Sequence, residues 1–149
     1  MFYKNDNRER GFTLIEMMVV IIILGILSSI VAVNIIGNTE DAKRTAAKTQ
    51  IETFRTGLDL YRLDNGNYPS TEQGLQALVT QPEVGKLPRK WREGGYISKI
   101  PKDPWGGEYA YLSPGLNGEE FTISSYGNDN EPGGEGKDAD VNSWENDQP

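Results

Sequence analysis

Hydrophobic and polar positions divide the chain into stretches with different periods. From Met17 to Thr39 there are 23 residues without a charge, dominated by Val, Ile, Leu and Met (Met17-Met18-Val19-Val20-Ile21-Ile22-Ile23-Leu24, then Ile26-Leu27, Ile30-Val31 and Ile35-Ile36). The run has no polar face. A helix of about 20 such residues spans a bilayer and satisfies its own backbone groups there, which lipid cannot do. The rest of the chain is too small to surround such a helix on all sides. A transmembrane helix over residues 12–36 is therefore expected. Past it the pattern narrows to a stripe. Ala47, Ile51, Phe54, Leu58 and Tyr61 follow spacings of 4, 3, 4 and 3, while Lys48, Glu52, Arg55 and Arg62 occupy the other faces. This predicts that the helix continues over 37–64 and stops at Asp64-Asn65-Gly66, with Pro69 soon after. From Phe12 to Asp64 it would be about 80 Å long.

The remaining residues, 65–149, predict a small head. Thr71–Val79 reads as a short helix capped by Thr71 and weakened by Gly74. Residues 82–107, rich in Pro, Gly and Trp, read as an ordered loop. Tyr109–Leu112 and Phe121–Tyr126 read as strands, and Gly115-Leu116-Asn117-Gly118 supplies the turn of an antiparallel hairpin. The expected class is α+β: a long N-terminal helix packed on a head with a short antiparallel sheet and long loops.

Charge and composition remove several chemistries. The 149 residues carry 15 Lys and Arg against 22 Asp and Glu, a formal charge of −7. Nucleic acid, bound mainly through Lys and Arg, is excluded as a partner. With no Cys and no His, there is no disulfide, thiolate, imidazole metal site or Ser-His pair. Any metal must be a hard cation held by oxygen. Glu119 with Glu120 is a carboxylate pair, but adjacent acids in a turn are ordinarily solvated. No Gly-rich phosphate loop follows a strand. A structural subunit is thus favoured over an enzyme. Orientation is not set by charge: Lys4, Arg8 and Arg10 precede the apolar run, and Lys43, Arg44 and Lys48 follow it.

Two acidic features stand out. Glu16 is a lone acid directly before the uncharged run, where a carboxylate is costly unless paired. It either marks the headgroup level or meets a cation. Cleavage between Gly11 and Phe12 would create one, a free α-amine four residues away. The second feature is the tail. From Asp103 onward there are 11 acids and one base, Lys137. Such a tail is either solvated or a calcium site. Asp129, Asp138 and Asp140 offer carboxylates, and Gly133, Gly134 and Gly136 let carbonyls turn inward. Asp138-x-Asp140-x-Asn142 imitates the start of an EF-hand loop but lacks its glycine and its bidentate Glu.

Several motifs together carry a resemblance. Gly11-Phe12-Thr13-Leu14-Ile15-Glu16, after a short basic leader and before an apolar helix, is similar to a prepilin cleavage site. Tyr61–Leu78, Gly94-Gly95-Tyr96-Ile97, Pro101-Lys102-Asp103-Pro104-Trp105-Gly106, Ser125–Asp129 and Asp138–Trp144 resemble the major pseudopilins, the G subunits of type II secretion, within the type IV pilin-like superfamily. The resemblance implies that a prepilin peptidase removes leader residues 1–11 after Gly11 and methylates Phe12. It implies that Glu16 pairs with the N-terminus of a neighbouring subunit. It further implies a homopolymeric fibre in the periplasm, extracted from inner-membrane lipid by an assembly platform and its ATPase. Minor pseudopilins are further partners, and export of folded proteins is the function. Calcium is implied in the acidic loop, held by Asp129, then Asp138 and Asp140, with a carbonyl near Tyr126. Trp144 then either pins that loop or is a core aromatic. One position departs: much of the family has proline where this chain has Val33, so local unwinding there is not implied. The alternatives are a minor pseudopilin or type IV pilin and, from another class, a membrane-anchored, calcium-dependent binding domain.

Overall fold

The computed structural model describes residues 12–147; the side chains of 29–38, 146 and 147 lie outside that description. One helix, α1, runs over Leu14–Asn65. The chain divides into two compact units, residues 1–39 and 40–149, so α1 contributes to both. In the first unit the described large apolar side chains are left exposed. The large apolar side chains from Phe12 to Leu27 are 44–81 % exposed. Among the described residues no helix is long and apolar enough to cross a membrane. The side chains of 29–38, which would complete the span expected over 12–36, and Val33 among them, lie outside the described residues. So does the leader, 1–11.

In the second unit the expected stripe is the centre of the core. Ala47, Ile51, Phe54, Leu58 and Tyr61 have no solvent exposure. Each large apolar side chain so buried contributes about 1.5–3 kcal/mol. They pack with Leu75, Leu78, Tyr109, Tyr111, Phe121, Ile123 and Val141. Edge-to-face ring contacts, Phe54 on Tyr109 at 5.0 Å and Tyr68 on Phe121 at 4.8 Å, fix the angle of approach. The helix ends where the sequence places its stop. Gly66 takes a left-handed φ of 80° and its N–H returns to the Arg62 carbonyl at 2.6 Å.

The sheet has three antiparallel strands in the order β1 (Ala110–Leu112), β2 (Thr122–Ser125), β3 (Val141–Asn142). The expected hairpin is β1–β2, with Ala110 opposite Ser124 and Leu112 opposite Thr122. The third strand lies in the acidic tail and was not expected. Every residue of β2 is buried, and its polar groups are satisfied: Ser124 donates to Asn142 at 2.6 Å, Ser125 to Asp103 at 2.6 Å, and Ile123 N–H to Ser143 Oγ at 3.0 Å.

One expected element is corrected. Thr71 caps no helix, and only Leu75–Leu78 forms a 3-10 turn. Gly74 precedes it at φ 60° with no side-chain cap, a backbone that breaks the run before a full helix can form. Thr71 is used elsewhere, donating to the Ser113 carbonyl and accepting the Ser113 N–H.

The loop over 82–107 is ordered without helix or strand because buried polar side chains hold its backbone. Gln73 donates to the carbonyls of Val84 (2.7 Å) and Lys86 (2.9 Å), and Asn65 accepts the Lys90 N–H (2.9 Å). Trp91 donates to the Ala77 carbonyl (3.1 Å). Beside Asn65, the nearly buried Asp64 accepts from Arg92 Nε at 2.6 Å, with Lys90 at 3.6 Å. The Arg92 hydrogen bond, opposed by desolvation and helped by the charges of Arg92 and Lys90, holds the Asp64 carboxyl below its ordinary value. A lowered folded-state value stabilises at neutral pH, and the gain is lost as pH falls through the carboxylate range. Asp64→Asn should therefore melt below wild type at pH 7, and the gap should close below about pH 4. Thermal melts of both proteins from pH 7 to pH 3 check this; a constant gap would contradict it.

Candidate functional site

The first candidate site is the start of α1. Gly11, the expected cleavage position, lies outside the described residues. Phe12 is 77 % exposed. Thr13 and Glu16 form a reciprocal cap: the Glu16 N–H donates to Thr13 Oγ1 at 3.3 Å, and the Thr13 N–H points at Glu16 Oε2 at 3.4 Å. This is a capping box, which occupies N–H groups that a helix start otherwise leaves unpaired. The Thr-x-x-Glu spacing is its signal, and the sequence reading, intent on the carboxylate's charge, missed it. The cap does not exhaust Glu16. A carboxylate has about four lone-pair positions, and a long contact at 3.4 Å leaves it able to accept from a cation as well.

The second is the acidic loop between β2 and β3. It is built by close backbone approaches. A Cβ on Gly127 (φ 65°) would lie 2.9 Å from the Asp138 carbonyl oxygen, and one on Gly134 (φ 83°) 2.6 Å from the same atom. Both positions need glycine for space and for sign of φ. Asn128 donates to Asp138 Oδ1 at 3.0 Å, and its N–H to the Lys137 carbonyl at 3.3 Å. Asp129 is exposed and accepts the Glu131 N–H at 3.2 Å. Asp140 accepts the Gly133 N–H on Oδ2 at 3.0 Å, while its Oδ1 is buried with no hydrogen-bond partner. Tyr126 is half-buried and lines a shallow cleft with Lys102, Gly107 and Asn130.

The structure thus places Asp129, Asp138 and Asp140 in one loop but does not converge them. Among the described residues no three Asp or Glu side chains are placed to hold a metal. The orphaned Asp140 oxygen is the one feature that fits a hard cation, since a buried carboxylate oxygen without a donor is costly.

Other residues sequence reasoning did not single out. Arg44 donates to the carbonyls of Ala139 (2.8 Å) and Asp140 (3.1 Å), and Arg55 to that of Ser143 (2.6 Å). Eleven residues is close to three helical turns, so both project from one face of α1 onto the C-terminal segment. The sequence assigned Arg55 to a face off the apolar stripe and gave Arg44 no partner. Asp103, 5 % exposed, accepts the N–H groups of Trp105 (3.0 Å) and Gly107 (2.7 Å) and closes the Pro101–Gly107 turn. Trp105 then donates to Glu40 at 2.9 Å; that bond, followed by the one from Lys43, holds the Glu40 carboxyl below its ordinary value. Trp144 lines a cleft with Arg55, Tyr68 and Phe121. Glu120 pairs with Arg62, and Glu119 accepts the Asn117 N–H at 2.9 Å.

Comparison with known proteins accounts for this arrangement. A family model described as type II secretion system protein G matches residues 34–144, and the prokaryotic N-terminal methylation motif matches residues 6–32. The type II secretion system core protein G of Vibrio cholerae is 50 % identical, with 95 % of each chain covered. That of Pseudomonas aeruginosa is 47 % identical over 94 % of this chain and 98 % of the relative. The crystal structure of the major pseudopilin from the type 2 secretion system of enterohaemorrhagic Escherichia coli aligns with a TM-score of 0.67 and 43 % identity, covering 75 % of this chain and 95 % of that one. Its family is one of structural pseudopilin subunits, not enzymes. By motif, sequence and fold, the chain belongs to the protein G family of type II secretion systems, the major pseudopilins.

Proposed function

We propose that this chain is the repeating subunit of a periplasmic pseudopilus, anchored before assembly as a single span in the bacterial inner membrane. The observation that carries this reading is the start of α1. The large apolar side chains that dominate Phe12 to Leu27 are 44–81 % exposed among the described residues, a surface that lipid or neighbouring copies would cover. The same surface serves both states, lipid before assembly and neighbouring helices afterwards. Contacts between copies are heterologous, because a fibre does not close. Prepilin peptidase cleaves after Gly11 and methylates Phe12. The assembly platform and its ATPase lift the subunit, minor pseudopilins share the fibre, and its growth drives export of folded proteins. Gly11→Val should block processing, because the peptidase must admit backbone where Gly has no Cβ. Mass spectrometry of the N-terminus checks it: the variant should retain residues 1–11, and a trimmed, methylated Phe12 would overturn the assignment.

Glu16 has two roles to separate, cap and charge. Glu16→Gln keeps the capping acceptor and removes the charge; Glu16→Ala removes both. If the carboxylate meets an α-amine of a neighbour, both variants should insert in the membrane and fail to form fibres. Glu16→Ala keeps the bond from the backbone N–H to Thr13 Oγ1, so it costs less than a lost N-cap side chain, which is worth about 0.5–2 kcal/mol. Electron microscopy of sheared fibres, with membrane fractionation, decides. Normal fibre yield from Glu16→Gln would leave the carboxylate as a cap only.

In the acidic loop the reading is calcium, supported by the oxygen chemistry of the loop and by the unpaired Oδ1 of Asp140. Asp140, Asp138 and Asp129 would hold it, with a carbonyl near Tyr126. Calcium supplies positive charge that offsets the mutual repulsion of these carboxylates. Binding only the folded state raises stability by mass action, about 2.7 kcal/mol at one hundred times Kd. Full-length protein in detergent micelles should therefore melt higher in calcium than in chelator. Asp129→Ala and Asp140→Ala should each remove most of that difference. Magnesium should substitute poorly, because it gives up water reluctantly. Equal melting temperatures in calcium and chelator would reduce the loop to a solvated acidic segment.

A further inference from the structure

We propose that Arg44 is a positioning residue for cation binding by the acidic loop, an inference that rests on the calcium reading above. Asp140 is held at three points. The next residue, Val141, is paired with Ser125 in the sheet. Its own carbonyl and that of Ala139 receive the two Arg44 Nη groups, at 3.1 and 2.8 Å. Its Oδ2 accepts the Gly133 N–H at 3.0 Å. These constraints leave Oδ1 buried and without a hydrogen-bond partner. One acceptor of this carboxylate is occupied by Gly133 and the buried Oδ1 is not, and the backbone that carries it is held by an arginine on α1.

The chemistry of the contact suits positioning rather than charge pairing. The guanidinium donates to two successive main-chain carbonyls and forms no ion pair with a loop carboxylate among the described residues. A planar fork can hold two oxygens at once; an ammonium is a single point of charge and cannot fix their relative direction. The same bonds tie the loop to the helix, four residues past the start of the second unit. Cation occupancy of the loop is thereby coupled to the segment of α1 that leads toward the N-terminal half.

The test uses full-length wild type, Arg44→Gln, Arg44→Lys and Arg55→Gln in detergent micelles, with thermal melts across a buffered calcium titration. The readout, the half-point, is the calcium concentration at which the folded state is half occupied, taken from the fit of the rise in melting temperature to mass action. Removing a residue that orients a metal ligand lowers affinity by about 10–100-fold, so Arg44→Gln should raise that concentration by the same factor. Arg44→Lys should fall between the two, roughly threefold above wild type. Arg55→Gln loses a similar bond, to Ser143 outside the loop. It should lower the melting temperature with and without calcium and leave the half-point in place. A purely structural Arg44 would behave like Arg55, and a half-point within twofold of wild type in Arg44→Gln would overturn the proposal. If Arg44→Gln does not fold, an unchanged half-point in Arg44→Lys overturns it equally. A wild-type protein with no calcium response would refute the calcium reading itself, which is decided before any variant is compared.

Discussion

Everything in the head is built against the stripe from Ala47 to Tyr61. Five positions at helical spacing lose all exposure, and the three strands, the 3-10 turn and the aromatic ring contacts are the surfaces that cover them. The same helix is apolar on every face at its start, where the described side chains stay exposed. These two demands explain the change of period near residue 40. An all-round apolar segment suits lipid or a bundle of like helices, and a one-sided stripe suits a small domain. A single helix, α1, carries both patterns.

Because the head is small, apolar burial covers only part of its chain, and buried polar side chains do much of the rest. Asn65, Gln73 and Asp103 are each nearly buried, and each is spent on main-chain groups of a loop. A side chain with several acceptors or donors can satisfy a turn that has no ladder to join. Arg44 and Arg55 do the same for the C-terminal segment. Deleting one such residue leaves several buried backbone groups without partners, so the cost exceeds that of a single hydrogen bond.

The long helix, its stop, the stripe and the first hairpin were legible, because each follows from a local period or a turn signal. The 3-10 turn was misread as a helix, since Gly74 outweighs the surrounding propensity once its φ turns positive. Strand β3 was invisible. Two residues give no period, and Val141-Asn142 pairs with Ser124-Ser125 in a segment that Arg44 and Arg55 hold from α1. The capping box at Thr13 and Glu16 was present as a spacing but hidden behind the more conspicuous charge. The roles of Arg44 and Arg55 join residues nearly a hundred positions apart; no local rule reports such pairs. Of the acidic loop, the residue types were legible and their arrangement was not, because loop geometry depends on which carbonyls the glycines turn inward.

The acidic loop shows why that geometry needs help from outside its own segment. From Asp103 onward there is a single base, Lys137, among 11 acids, so the loop's internal electrostatics favour opening. Its glycines permit the tight return past the Asp138 carbonyl, but permission is not attraction, and glycine adds backbone entropy to the unfolded side. Besides the loop's internal hydrogen bonds, attraction on its backbone comes from Arg44, which belongs to α1. A segment that carries this much negative charge and still leaves a carboxylate oxygen unpaired is braced from α1 by two hydrogen bonds to its backbone.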